Sequence, residues 1–109
     1  MARHVSRSQA LKLASRYRQR LTNALGQPVR VILFGSQARN EASPMSDVDL
    51  LVILPTLEKS TLNIALDTAW EVGFEAGQVL SIIPATESEL IRLSASPFFR
   101  TVKNEGIAA

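Results

Sequence analysis

Phe34-Gly35-Ser36-Gln37-Ala38-Arg39 and, beyond a polar loop, Ser46-Asp47-Val48-Asp49-Leu50-Leu51-Val52-Ile53-Leu54 decide how this chain is read. The apolar run 29–34 has the character of a buried strand and stops at Gly35-Ser36. Asp47 and Asp49 then alternate with Val48 and Leu50 at the mouth of a second apolar strand. Strand side chains at i and i+2 share a face, about 6.6 Å apart at Cα. Two carboxylates held that way repel each other unless a cation lies between them. Magnesium is the natural occupant, since it binds through one or two carboxylates plus substrate phosphates.

Gly35-Ser36 supplies the other half of such a site. Without a Cβ, Gly35 lets a phosphate approach the backbone. Ser36 adds a hydroxyl and an N–H, and a short helix over 36–39 would turn its positive end toward the same anion. Metal on one side and amide donors on the other make a triphosphate site. The same residues also fit a plainer reading, a tight turn followed by solvated aspartates.

Gly-Ser, ten residues, then Asp-x-Asp opening an apolar strand resembles the nucleotidyltransferases of the DNA polymerase β superfamily. Within it the chain is similar to the minimal nucleotidyltransferase family, small single-domain prokaryotic proteins. The motif covers residues 34 to 54, and the length and strand order agree. The resemblance implies an α/β (α+β) fold, a small mixed β-sheet covered by helices, as one domain over residues 1–109. It implies transfer of a nucleoside monophosphate from ATP or another nucleoside triphosphate to a hydroxyl. Asp47 and Asp49 would be the catalytic pair and hold Mg2+, and Gly35 and Ser36 would hold the β and γ phosphates. Arg39 would pair with phosphate or with the motif loop. It also implies a helical HEPN-type protein as partner, in a toxin–antitoxin pair. The chain would neutralise that toxin by AMP transfer or by binding it.

Many members carry a third carboxylate on the next strand. Here that strand reads Gln78-Val79-Leu80-Ser81-Ile82-Ile83 and holds no acid. Ser81 is a poor metal ligand and no base; Glu75, Glu87 and Glu89 fall outside the strand. A degenerate site that binds nucleotide and masks a partner stoichiometrically is therefore the second reading. The third is a nucleic-acid-binding module, because residues 1–40 hold eight arginines and lysines and no acid. That run reads equally as a solvated helix face, so nucleic acid ranks below a protein partner. A homo-oligomer is compatible with all three. Aminoglycoside modification ranks lower, for want of an acceptor-binding extension.

The bulk numbers narrow the class. A length of 109 residues and 46% hydrophobic content suit one globular core. No apolar run approaches the ~20 residues of a membrane span, the N-terminus lacks a secretory h-region, and cytoplasmic residence is expected. With no cysteine, disulfides and thiolate zinc sites are excluded. His4, the single histidine, falls in a short N-terminal stretch expected to fray.

Punctuation gives the rest. Ser6-Arg7-Ser8-Gln9 reads as a capping box opening a helix to about Leu25, with a buried stripe of Ala10, Leu13, Ala14, Tyr17, Leu21, Ala24 and Leu25. Gly26 and Pro28 end it. The first strand, 29–34, is expected to be central with both faces covered. The second, 47–54, ends at Pro55. Ser60 or Thr61 caps a long helix whose core face is Leu62, Ala65, Leu66, Ala69, Val72 and Gly73, with Trp70 and Phe74 expected to pack against helix or sheet. Gly77 closes it, and a third strand, 78–83, stops at Pro84. Thr86 or Ser88 starts a helix through Leu93. Ser96-Pro97 opens a last one ending before Gly106, with Phe98 and Val102 on one face and Phe99 beside them, a partner contact if exposed and core if not.

Overall fold

Ser6 starts the first helix as its sequence requires. Its hydroxyl accepts from the Gln9 N–H and the Gln9 side chain returns the bond to the Ser6 N–H, at 3.2 and 3.0 Å. The helix α1 (Arg7–Leu25) ends at Gly26, whose φ of +72° makes the left-handed turn. The computed structural model describes residues 6–39 and 47–109. His4, Asn40 and the loop 41–46 lie outside the described residues.

Four strands form one mixed sheet in the order β3-β2-β1-β4. They are β1 (Arg30–Phe34), β2 (Val48–Ile53), β3 (Leu80–Ala85) and β4 (Ile107–Ala108), joined by α2 (Gly35–Ala38), α3 (Lys59–Ala76), α4 (Glu87–Arg92) and α5 (Pro97–Glu105). β1 pairs antiparallel with β2 and with β4, and β2 pairs parallel with β3 across α3. The described residues thus build a small α+β fold, as expected.

The sheet has two unequal faces. Val31, Leu33, Val48, Leu50 and Val52 meet α1 and α3 in the main core, with Tyr17 and Leu21 fully buried there. Leu51, Ile53 and Ala85 meet Val102 in a smaller core, with Phe99 and Leu90 packed on it. β2 is covered on both faces. β1 is interior to the sheet, but Arg30 is exposed and Ile32 and Phe34 are half-buried, because only the short helices α4 and α5 cover that side.

Several sequence expectations are corrected. In α1, Ala24 is exposed and Leu25 half-buried, so the buried stripe is Ala10, Leu13, Ala14, Tyr17 and Leu21. α3 starts at Lys59 after Glu58, without a side-chain cap, because the Thr61 hydroxyl is engaged with that of Thr56 at 3.1 Å. Its buried face is Ala65, Thr68, Ala69, Val72 and Gly73, with Leu62 half-buried; Leu66, Trp70 and Phe74 point to solvent. Gly73 explains this: a Cβ there would collide with the Gln78 carbonyl, so α3 lies on the chain through its small residues and the bulky ones are left outside.

β3 runs through Pro84. The parallel ladder begins with Val48 N–H donating to the Val79 carbonyl and ends with Leu54 N–H donating to that of Ala85. Odd-numbered residues of β3 therefore face β2, and Pro84 presents its missing N–H to the outer edge, where no ladder bond is lost. Thr86 caps α4 in a second capping box, with Glu89. In α5, Phe99 joins Val102 in the smaller core while Phe98 is the more exposed ring. β4, only two residues long, had no legible signal.

Part of the charge asymmetry is met by ion pairs within the fold. Arg20 meets Glu75 at 2.8 Å, Arg30 meets Glu87 at 2.8 Å and Arg39 meets Glu105 at 3.1 Å. Each pair joins the basic first third to a later acid. No helix among the described residues is long and apolar enough to cross a membrane.

Candidate functional site

β1 ends with Phe34 still extended, and Gly35 then turns the chain with φ +75° into the single turn of α2. Non-glycine residues rarely adopt that conformation. Space imposes the same choice, since a Cβ on Gly35 would overlap Oδ2 of Asp49. The antiparallel register makes the contact inevitable, because Phe34 is the partner of Asp49. The glycine–serine turn and the second aspartate, fourteen residues apart in sequence, are thus in contact.

Asp49 alternates with Val48 and Leu50, which point into the main core, and so lies on the opposite face with Leu51 and Ile53. It is half-buried. Partial desolvation pushes its carboxyl above the usual aspartate range, the charge of Asp47 pushes it further, and Arg39 opposes both. Asp47 itself is exposed, one residue before the strand begins. The electrostatic coupling brings Asp47, Asp49 and Arg39 into one neighbourhood. Ser36 is half-buried in α2, immediately after the Gly35 turn.

Arg39 is fixed from outside the motif, by Glu105 of α5. Arg7 Nη1 donates to the Ala38 carbonyl at 3.2 Å and ties the end of α2 to α1. Gln37 went unassigned in the sequence. It is 1% exposed, and its Nε2 has no hydrogen-bond partner among the described residues. Such an orphaned amide donor inside a binding turn is costly, and polarity at an otherwise apolar helix position was the one signal for it.

The parallel register sets Ser81 directly beside Asp49. Strand alternation puts it on the same face, since Leu80 and Ile82 belong to the main core. The position on β3 nearest the acidic pair therefore holds a hydroxyl. The flanking acids are employed elsewhere: Glu75 and Glu87 in ion pairs and Glu89 in the α4 capping box. Among the described residues no group of three or more His, Cys, Asp or Glu side chains converges. Two carboxylates, one of them raised by the other, fit a hard divalent cation that takes its remaining ligands from water and phosphate. Asp47 and Asp49 are the residues that could hold it.

The family described as "Nucleotidyltransferase domain" matches residues 14–103. A bifunctional uridylyltransferase/uridylyl-removing enzyme from Rhodospirillum rubrum is 36% identical over 62 residues, covering 53% of this chain and 7% of that protein. A protein of the same description from Aromatoleum aromaticum is 36% identical over 81 residues, covering 65% of this chain and 9% of its own length. The chain thus spans less than a tenth of these two curated relatives. A crystal structure of a candidate nucleotidyltransferase from Sulfolobus solfataricus superposes with a TM-score of 0.62 at 17% identity, covering 94% of this chain and 80% of that one. With the matched family spanning most of its length and the fold shared, the chain belongs to the nucleotidyltransferase domain family.

Proposed function

We propose that this chain is a magnesium-dependent nucleotidyltransferase of the minimal type. It moves AMP, or another nucleoside monophosphate, from a nucleoside triphosphate to a hydroxyl on a partner protein, a helical HEPN-type toxin that it neutralises in the cytoplasm. The contact between Gly35 and Asp49 carries this reading. It brings the glycine–serine turn beside the Asp49 carboxylate, which supports a phosphate site and a cation site sharing one end of the sheet.

Asp47 and Asp49 hold the metal, which when bound supplies charge neutralisation on the phosphate oxygens. Gly35 and Ser36 present backbone and hydroxyl donors to the β and γ phosphates. Arg39, steadied by Glu105, adds a positive charge on the same side. The chain's own contribution is placement and electrostatic stabilisation. The names of the two curated relatives speak of uridylyl transfer, so UTP stands beside ATP as a donor to be tried.

The test mixes the protein with Mg2+, labelled ATP or UTP, and the helical protein encoded beside it. Label on the partner with wild type, reduced at least ~100-fold in Asp47→Asn and in Asp49→Asn, is the expected result. No transfer by wild type, or equal transfer by all three, overturns it.

Ser81 favours a second reading. With a hydroxyl beside Asp49, the same site can bind nucleotide without turnover while the protein masks its partner stoichiometrically. Neutralisation that survives Asp47→Asn supports that reading, and neutralisation lost with the aspartate counts against it.

A further inference from the structure

An exposed apolar feature lies along α3 and the outer edge of β3. Leu66, Trp70 and Phe74 follow one another at four-residue spacing on α3 and are 55%, 68% and 74% exposed. The two rings stack, 5.1 Å between centroids and 10° between planes. Val79, 61% exposed just before the edge strand β3, lines with these residues a groove of about 920 Å³. The helix–sheet contact is made by Ala65, Ala69, Val72 and Gly73, which leaves these rings open to water. Aromatic anchors around a groove mark a docking surface.

Charge identifies the occupant. A second row, Asp67, Glu71 and Glu75, runs beside the apolar one at the same spacing. Glu75 is already engaged by Arg20, whose charge also meets that of Glu71, and Asp67 is the acid of the row that lines the groove. Between Ser60 and Ile91 the sequence contains no Lys, Arg or His. An apolar ridge about 12 Å long flanked by carboxylates matches two turns of a helix with its own apolar stripe bordered by Lys or Arg. A second copy fits poorly, because an antiparallel two-fold contact on this ridge brings the two acidic rows together. A nucleic-acid strand stacking on Trp70 would bring its phosphates to the same acids.

We propose that the groove between α3 and β3 docks a basic-flanked amphipathic helix of another protein. Trp70 and Phe74 are its anchors, and Asp67 is its charge selector. The inference is independent of the triphosphate site.

Trp70 is the sole tryptophan, so its emission reports on the groove directly. The full chain is titrated with two synthetic helical peptides that share one leucine face and carry Lys or Glu on the flanks. The expected result is a blue shift that saturates with the Lys peptide, at a Kd at least ~10-fold below that of the Glu peptide. Phe74→Ser weakens the Lys peptide at least ~10-fold, and Asp67→Lys narrows or reverses the preference. Asp49→Asn changes neither, which separates this test from that of nucleotidyl transfer; circular dichroism verifies that each variant is folded. Three outcomes overturn the proposal. The two peptides bind alike; or emission is already blue in a dimer that Phe74→Ser dissociates, which assigns the groove to a second copy; or an oligothymidylate quenches Trp70 while neither peptide shifts it.

Discussion

The carboxylate of Asp49 rests against the α-carbon of Gly35, in the space a side chain would otherwise fill. One glycine therefore meets two demands, a left-handed backbone at φ +75° and room for the carboxylate. Gly35→Ala breaks both. Expected is a loss of about 1–3 kcal/mol in stability, from the backbone strain and the displaced aspartate. Nucleotide binding should fall by more than stability accounts for. Chemical denaturation alongside a nucleotide titration of the folded variant measures the two. An alanine variant that binds nucleotide as tightly as wild type contradicts the site.

The same closeness predicts a pH signature. Burial and the Asp47 charge hold the Asp49 carboxyl above its ordinary value. Relative to the unfolded chain, the folded state then binds more protons in the window between the two values, so stability falls as pH rises through it. Asp49→Asn removes that loss. In chelator the variant melts higher than wild type at pH 7, and the difference shrinks as pH drops below the carboxylate range. Melting curves from pH 3.5 to 7.5 check this. A variant that melts lower than wild type at pH 7, or a difference that grows toward acid, contradicts the sign.

Ser81→Asp tests the vacant position beside Asp49. A third carboxylate there adds like charge at a strand neighbour of the existing pair. Without metal, Asp49 is pushed further up and the protein loses on the order of 1 kcal/mol. With millimolar Mg2+ the order reverses, and the thermal shift on adding metal exceeds that of wild type. If Mg2+ stabilises both proteins equally, Ser81 does not face the metal position.

Tyr17 carries a different kind of prediction. Its ring is fully buried and its hydroxyl donates to the Ala65 carbonyl at 2.9 Å, tying α1 to α3. Burial raises the hydroxyl well above the ordinary tyrosine value, so it stays protonated across any working pH. Tyr17→Phe leaves that carbonyl without this donor and costs about 1–2 kcal/mol. Nucleotide binding by the folded protein stays as it was, because the bond lies on the far side of the sheet. Urea unfolding with a parallel nucleotide titration distinguishes the two effects.

Local rules carried much of the reading. The capping box at Ser6, the left-handed stops at Gly26 and Gly77, and the Ser96-Pro97 start depend on a few adjacent residues, so the sequence by itself determined them, while it left the start of α4 open between Thr86 and Ser88. The motif was legible for the same reason, since glycine and alternating aspartates each imply a local backbone need. Sequence periodicity could not say which side of α3 meets the sheet. Leu66, Trp70 and Phe74 form as good an apolar row as Ala65, Ala69 and Val72. The close approach of Gly73 to Gln78 selects the row of small residues, a choice made only when helix and strand pack. Strand pairing also lay beyond the sequence. Gly35 meets Asp49, Ser81 stands beside the acidic pair, and Pro84 lies harmlessly at an edge through hydrogen bonds between segments tens of residues apart. Those long-range bonds are what tertiary structure alone decides.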